Sequence, residues 1–263
     1  LAEKPKRAVI PVPAFSEYAH ALRTVDCRIE EYALRRKEQF TLTEGFLECL
    51  TPETDIVFLC SPSNPAGQVI EREFLCRIAD RCEEAQIRLV VDECFIDFLP
   101  EPSEFTMEKL TERYPCLFVV QAFTKTHAIP GLRLGYGMSS DQKLLERMQQ
   151  VRQPWSVSTP AQAAGLAALW DSDRVQEARK LICRERRRME EELRDTGVEV
   201  IPSEANFILM YSSYDLFSLL KDRGILIRDC SNYSGLGKGW YRTAVRRREE
   251  NDRLLDAIRQ ICG

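Results

Sequence analysis

The chain has 263 residues, 44% apolar and 30% charged, the balance of a soluble globular protein with room for one large domain or a large and a small one. Its formal charge, 37 − 41 = −4, is spread along the chain, and the short basic run Arg184 to Arg188 is followed at once by Glu190 to Glu192, so no nucleic acid partner is expected. The apolar runs are too short for a signal peptide or a membrane span, so no membrane partner is expected either.

In chain order, Ala8 to Val12 reads as a buried strand ending in the turn Pro11 to Pro13. Asp55 to Cys60 is a second strand, stopped by the turn-forming loop Ser61 to Gly67. Glu71 to Glu84 has helical spacing, Ile87 to Val91 is a third strand ending at Asp92, and Cys116 to Val120 is a fourth. Leu132 to Met138 is a candidate fifth. Thr159 to Arg194 reads as nearly continuous helix, opened by Thr159-Pro160 and closed at Gly197. Strands at Val198 to Ile201 and Asn206 to Tyr211 follow, then a helix from Asp215 to Arg223 stopped by Gly224. Strands at Ile225 to Arg228 and Trp240 to Val245 and a helix from Glu249 to Ile261 complete the chain.

This alternation predicts an α/β fold whose first part has a mainly parallel sheet. A domain change falls in the long helix, giving a large domain over residues 1–170 and a smaller C-terminal α/β domain over 171–263. Ligands of such sheets sit beyond the carboxyl ends of the strands. Ten scattered cysteines without a CxxC pair, and only two histidines, give no metal-ligand pattern and suggest a reducing cytoplasm.

Four features lie just after apolar runs: Ser61-Pro-Ser-Asn64-Pro-Ala-Gly67, Asp92-Glu-Cys-Phe-Ile-Asp-Phe98, Phe123-Thr-Lys125-Thr with Pro130-Gly-Leu-Arg133, and Trp240-Tyr-Arg242-Thr-Ala-Val. Singly, each has an ordinary explanation: a turn, a helix cap, a surface lysine, a paired arginine. In this order and spacing, with Arg133 eight residues beyond Lys125, the set resembles the aminotransferase superfamily of pyridoxal phosphate (PLP) enzymes along the whole chain.

The resemblance implies a PLP-dependent transferase-like fold, PLP as cofactor, and a role for each matching residue. Lys125 matches the Schiff-base lysine, whose amine serves as general base or acid. Asp92 matches the carboxylate that keeps the ring nitrogen protonated. Asn64 matches the donor to the cofactor's 3′ oxygen, Arg133 the phosphate-binding arginine, and Thr124 adds a hydroxyl. Phe15 stands where the family stacks an aromatic on the ring; an apolar core position explains it equally well. Arg242 matches the clamp on the substrate's α-carboxylate. Arg228 either binds a phosphate on the substrate or pairs with an acid such as Asp229 or one on the helix of Asp222.

The departures are Phe95, where many relatives carry Tyr, and Ala122, where many carry Ser or Thr. The chain starts at Leu1 rather than Met, and the relatives' N-terminal segment, with its phosphate-cupping glycine loop, is not in the sequence. The expectation is an N-terminally incomplete large domain; a protein truly lacking that segment would hold PLP weakly or not at all. Gly224 to Leu236, Gly239-Trp-Tyr-Arg242, Asp92-Glu-Cys-Phe95, Ala128 to Tyr136 and Gln153-Pro-Trp-Ser156 resemble the L-threonine O-3-phosphate decarboxylase branch more than the histidinol-phosphate aminotransferases. The first branch implies decarboxylation of a phosphorylated amino acid to (R)-1-aminopropan-2-ol phosphate in cobalamin biosynthesis; the second implies transamination. Either implies a homodimer with active sites at the subunit boundary.

Overall fold

A computed structural model describes residues 5–263. The first half alternates strand and helix: β1 (Arg7–Val12), α1 (Ser16–Arg23), β2 (Arg28–Ala33), β3 (Ile56–Cys60), α2 (Arg72–Ala85) and β4 (Arg88–Asp92). A one-turn α3 (Pro102–Phe105) leads to β5 (Leu117–Ala122), a one-turn α4 (Phe123–Thr126), β6 (Gly135–Met138) and α5 (Gln142–Val151). These strands form one sheet in the order β2-β1-β3-β4-β5-β6, parallel except for β6. The inner strands are apolar on both faces, as a covered parallel sheet requires. On α2 the buried residues Leu75, Ile78, Ala79 and Cys82 follow the helical repeat and join Val57, Leu59, Val91 and Leu117 in one core.

The second half comprises α6 (Thr159–Leu169), α7 (Ser172–Asp195), β7 (Glu199–Ile201), β8 (Phe207–Tyr211), α8 (Leu216–Lys221), β9 (Arg228–Asp229), β10 (Trp240–Ala244) and α9 (Arg248–Cys262). Its antiparallel sheet runs β7-β8-β10-β9. Helices α7 and α9 supply Met189, Leu193, Leu255 and Ile258 to a core that also takes Phe95 and Phe98 from the segment after β4.

The structure corrects two expected elements. The helix over 159–194 is two helices, because Asp171 leaves helical backbone (φ −104°, ψ 56°) within Asp171-Ser-Asp173, residues that favour helix starts over interiors. The strand over 225–228 shrinks to Arg228–Asp229. Gly224 (φ +70°) and Ile225 donate their amides to Lys221 and Leu220, so this stretch closes α8 instead of pairing. Helices α1 and α5 and the polar edge strand β2 are not among the elements expected from the sequence; β2 lacks a buried apolar run, and α5, although its Leu144, Leu145, Met148 and Val151 recur at helical spacing, buries none of them.

The two sheets are joined by specific contacts. Gln68 Nε2 donates to the Pro202 carbonyl at 2.6 Å, and the Glu204 amide to the Gly67 carbonyl at 2.8 Å. The Arg36 guanidinium pairs with Glu199 through both oxygens and lies 4.3 Å from the centroid of Tyr211 and 5.1 Å from that of Trp240. That hydrogen bond holds Glu199 below the usual carboxylate range despite partial burial. Both side chains are nearly half exposed, so the ion pair itself contributes little and the ring stacking more. Arg36→Ala is expected to lower unfolding stability by about 1 kcal/mol. Because the Glu199 pKa is depressed by folding, its share is present above the unfolded value and is lost as pH falls through the folded one. Urea midpoints at pH 7 and pH 3 should therefore fall further apart in the parent protein than in Glu199→Gln.

Candidate active site

Parallel pairing sets Cys60 level with Asp92 and Asp92 level with Val120, so β3, β4 and β5 end on one edge of the sheet. The loop 61–67, the segment after Asp92 and α4 all leave from that edge. They enclose a cavity of about 660 Å³ whose lining brings together Phe15, Asn64, Asp92, Thr124, Lys125 and Arg133. Six of the eight residues singled out in the sequence thus share one space; Arg228 and Arg242 approach from the second sheet.

Asp92 is partly buried, and both of its oxygens are occupied: Oδ2 accepts from Tyr18 Oη at 2.6 Å and Oδ1 from the Cys94 amide at 2.9 Å. Lys125 is exposed on α4, its Nζ 5.6 Å from the Phe95 ring centroid, with no ion-pair partner among the described residues. Thr124 is partly buried beside it. Arg133 sits in left-handed backbone (φ +55°); its guanidinium is exposed and donates to the Pro130 carbonyl at 3.0 Å. Phe15 is 39% exposed at the cavity, edge-on to Tyr18 at 5.7 Å, so it is not a core residue. Cys94 also lines the cavity; burial first and Asp92 second push its thiol up, so it stays protonated.

Asn64 is buried and joins the two sheets. Its Oδ1 accepts from Arg242 Nη1 and from Tyr233 Oη at 3.4 Å. An arginine can only donate, which assigns the oxygen to that side and leaves the Asn64 amide nitrogen to donate elsewhere. Arg242 stacks 4.7 Å over Phe207, Phe207 meets Phe95 edge-to-face at 5.1 Å, and Phe95 lies beneath Lys125. Two rings therefore link the lysine of one sheet to the arginine of the other.

Arg228 is the direct cross-strand neighbour of Arg242. It donates to Asn232 Oδ1 at 3.0 Å and lies 5.8 Å from the Tyr233 centroid. The expected alternative, a salt bridge to Asp229 or to the helix of Asp222, is not formed among the described residues; Asp229 instead accepts the Ser231 amide at 2.8 Å. Burial pushes the Cys230 thiol up to about 11, although Arg242 and Arg228 both pull the other way. Like charges on facing positions of paired strands repel, and an anion between them relieves the cost. Arg228 and Arg23 line a second cavity of about 150 Å³ that meets the first at Phe15.

Residues 1–258 match the family described as aminotransferase class I and II. The chain belongs to that family. It is 41% identical to the threonine-phosphate decarboxylase of Salmonella typhimurium, over 98% of this chain and 71% of that protein. It is 33% identical to histidinol-phosphate aminotransferase 2 of Archaeoglobus fulgidus, over 99% of this chain and 72% of that one. Among solved structures, the histidinol-phosphate aminotransferase from Clostridium acetobutylicum superposes with a TM-score of 0.92 at 27% identity, covering 98% of this chain and 78% of that one.

The family's enzymes depend on PLP, and so does this one. The cavity fits the group chemically: it offers a carboxylate fixed at both oxygens, an amine without an ion-pair partner among the described residues, and a guanidinium bonded to a carbonyl. Tyr18, Phe207 and Tyr233 also belong to the site, and no sequence motif marks them. Phe15, the residue before α1, stands three positions ahead of Tyr18 and meets its ring edge-on, and that spacing is the available signal for Tyr18.

Gly67 holds the 61–67 loop in place with left-handed backbone (φ +74°), and a Cβ there would sit 2.7 Å from Ser203 Cβ and 3.1 Å from its Cα. Gly67→Ala should cost roughly 1–2 kcal/mol from the backbone conformation alone. Thermal unfolding would show the loss. Ser203→Ala should not restore it, because the left-handed conformation and the crowding against the backbone of residue 203 both persist.

Proposed function

We propose that this chain decarboxylates L-threonine O-3-phosphate to (R)-1-aminopropan-2-ol phosphate, the precursor of the aminopropanol arm of cobalamin. The observation that carries this reading is the Arg228–Arg242 pair: two arginines at facing positions of paired strands, neither with a carboxylate partner among the described residues, suit a substrate with two anionic groups. The 41% identity to the Salmonella decarboxylase supports it. Residues 1–170 would form the cofactor-binding domain and 171–263 the smaller one.

Bound PLP supplies an electron sink for charge developing at the substrate's α-carbon. Asp92 holds the proton on the cofactor's ring nitrogen. Asn64, with its oxygen turned to Arg242, offers its amide to the 3′ oxygen. Arg133 and Thr124 would hold the cofactor phosphate, and Phe15 would lie against its ring. Arg242 grips the α-carboxylate and Arg228 the substrate phosphate. Held at both ends, the substrate has its scissile bond oriented from outside the reacting centre, so binding energy selects which bond breaks. The Cα–carboxylate bond would break with its electron pair left at Cα, carbon dioxide would leave, and Lys125 Nζ would deliver a proton to Cα.

The 0.92 superposition on a histidinol-phosphate aminotransferase favours transamination as the second reading. A substrate with one phosphate and no carboxylate would then draw both arginines to that single group. With PLP, L-threonine O-3-phosphate and 2-oxoglutarate, carbon dioxide without glutamate is expected. Glutamate without carbon dioxide, above all with histidinol phosphate as donor, would leave the aminotransferase. Lys125→Ala should slow turnover by roughly 10²–10⁴-fold and abolish borohydride trapping of the cofactor on the protein. Arg228→Ala should raise KM for the phosphorylated substrate by about 10-fold or more, with little change for L-threonine.

The reading includes a homodimer. Helix α5 buries none of its residues, and Val151, Trp155, Leu166, Leu169 and Trp170 are well exposed along 142–170, a concentration of apolar surface that suits a subunit contact. In sedimentation equilibrium the parent should be dimeric and Val151→Asp with Trp155→Asp shifted towards monomer. Ten cysteines, all free, fit a reducing cytoplasm. No helix among the described residues is long and apolar enough to cross a membrane.

A further inference from the structure

We propose that Tyr18 is a positioning residue for Asp92, its buried hydroxyl fixing the orientation in which the carboxylate meets the proton on the cofactor's ring nitrogen. The inference rests on the reading of Asp92 given above.

Tyr18 lies at the buried end of the cavity, 9% exposed. Its Oη–Oδ2 distance of 2.6 Å is that of a charge-assisted bond to an anion. The ring cannot swing away: Phe58 stacks on it at 5.4 Å and 19°, and Phe15 meets it edge-on at 5.7 Å. The Cys94 amide holds the other oxygen, so rotating the carboxylate breaks both bonds. From β3, Cys60 stands level with Asp92 and next to Tyr18, and burial keeps its thiol protonated. From the β4 side Cys94 is likewise neutral, with the Lys125 amine nearby. Asp92 is therefore the acceptor the hydroxyl faces. A donor to a carboxylate stabilises its charged form and weakens its pull on a shared proton.

The alternative is an ordinary core tyrosine that satisfies its hydroxyl on the nearest acceptor. Phenol acidity separates the two. Burial, with Cys60 and Asp92 alongside, raises the Tyr18 pKa well above its ordinary value, so 3-fluorotyrosine at this position stays protonated and becomes a stronger donor of nearly the same shape.

The test uses the whole chain with ¹⁵N-labelled PLP and three variants: Tyr18→Phe, 3-fluorotyrosine at position 18, and Asp92→Asn. Three quantities are read: the PLP dissociation constant, the ring-nitrogen ¹⁵N shift of the bound cofactor, and the urea midpoint of the cofactor-free protein. Tyr18→Phe is expected to weaken PLP binding by about 10-fold to 100-fold, the loss of one bond to a charged group. Its ring-nitrogen signal should move towards neutral pyridine, and that of the fluorinated protein the opposite way. Affinity loss with an unmoved nitrogen signal means a purely structural tyrosine and overturns the inference. So does a Tyr18→Phe protein that matches the parent while Asp92→Asn fails to hold the cofactor. If Asp92→Asn also matches the parent, the role of Asp92 fails and the inference falls with it. The urea midpoint guards against misfolding: the fluorinated protein must unfold with the parent, and its nitrogen shift alone then decides.

Discussion

The parallel register of β3, β4 and β5 is the constraint on which the site depends. Burial of Val57, Leu59, Val91, Leu117 and Val119 fixes it, because a slip of one residue would turn each strand's side chains to the opposite face. Asp92 ends the central strand of the three and inherits its direction from that packing. The same edge releases the Asn64 loop and α4, so the acid, the amide and the amine meet although they come from three segments of the chain. A core with no chemistry of its own thereby places the polar groups.

The second sheet is tied to this edge through Asn64 and through the Phe95–Phe207 contact. Phe95 shows how one residue serves both purposes. Its apolar ring sits between Lys125 and Phe207 and enters the core shared with α7 and α9. Arg36, stacked on Tyr211 and Trp240, adds a contact at the far side of the same junction.

Much of this is legible in the sequence, for a physical reason. Buried parallel strands are short apolar runs, and chemistry follows their carboxyl ends, so Asn64, Asp92 and Lys125 can be picked out by position as well as by resemblance. The edge strand β2, Arg-Ile-Glu-Glu-Tyr-Ala, lacks that signature because only part of it is covered. The break at Asp171 escapes the pattern because both flanking segments have good helical composition, and one residue's backbone preference decides between one helix and two. Tyr18, Tyr233 and Phe207 are invisible as partners of Asp92, Asn64 and Arg242 because those contacts span 74, 169 and 35 residues respectively (242 − 207 = 35). Nothing local in a tyrosine says which distant acid its hydroxyl will meet.

The two arginines proposed for the substrate are not held equally. Arg242 lies in β10, paired on both sides, with its guanidinium fixed by Asn64 and the Phe207 ring. Arg228 is on a two-residue edge strand, exposed, and held by Asn232 and Tyr233 of its own loop. On the proposed reading, the rigid arginine takes the group next to the reacting carbon, where a small rotation changes which bond breaks. The adaptable one takes the remote phosphate, where reach matters more than angle. A site dividing the two tasks this way would tolerate variation in the length of a substrate more readily than variation in the geometry at its α-carbon.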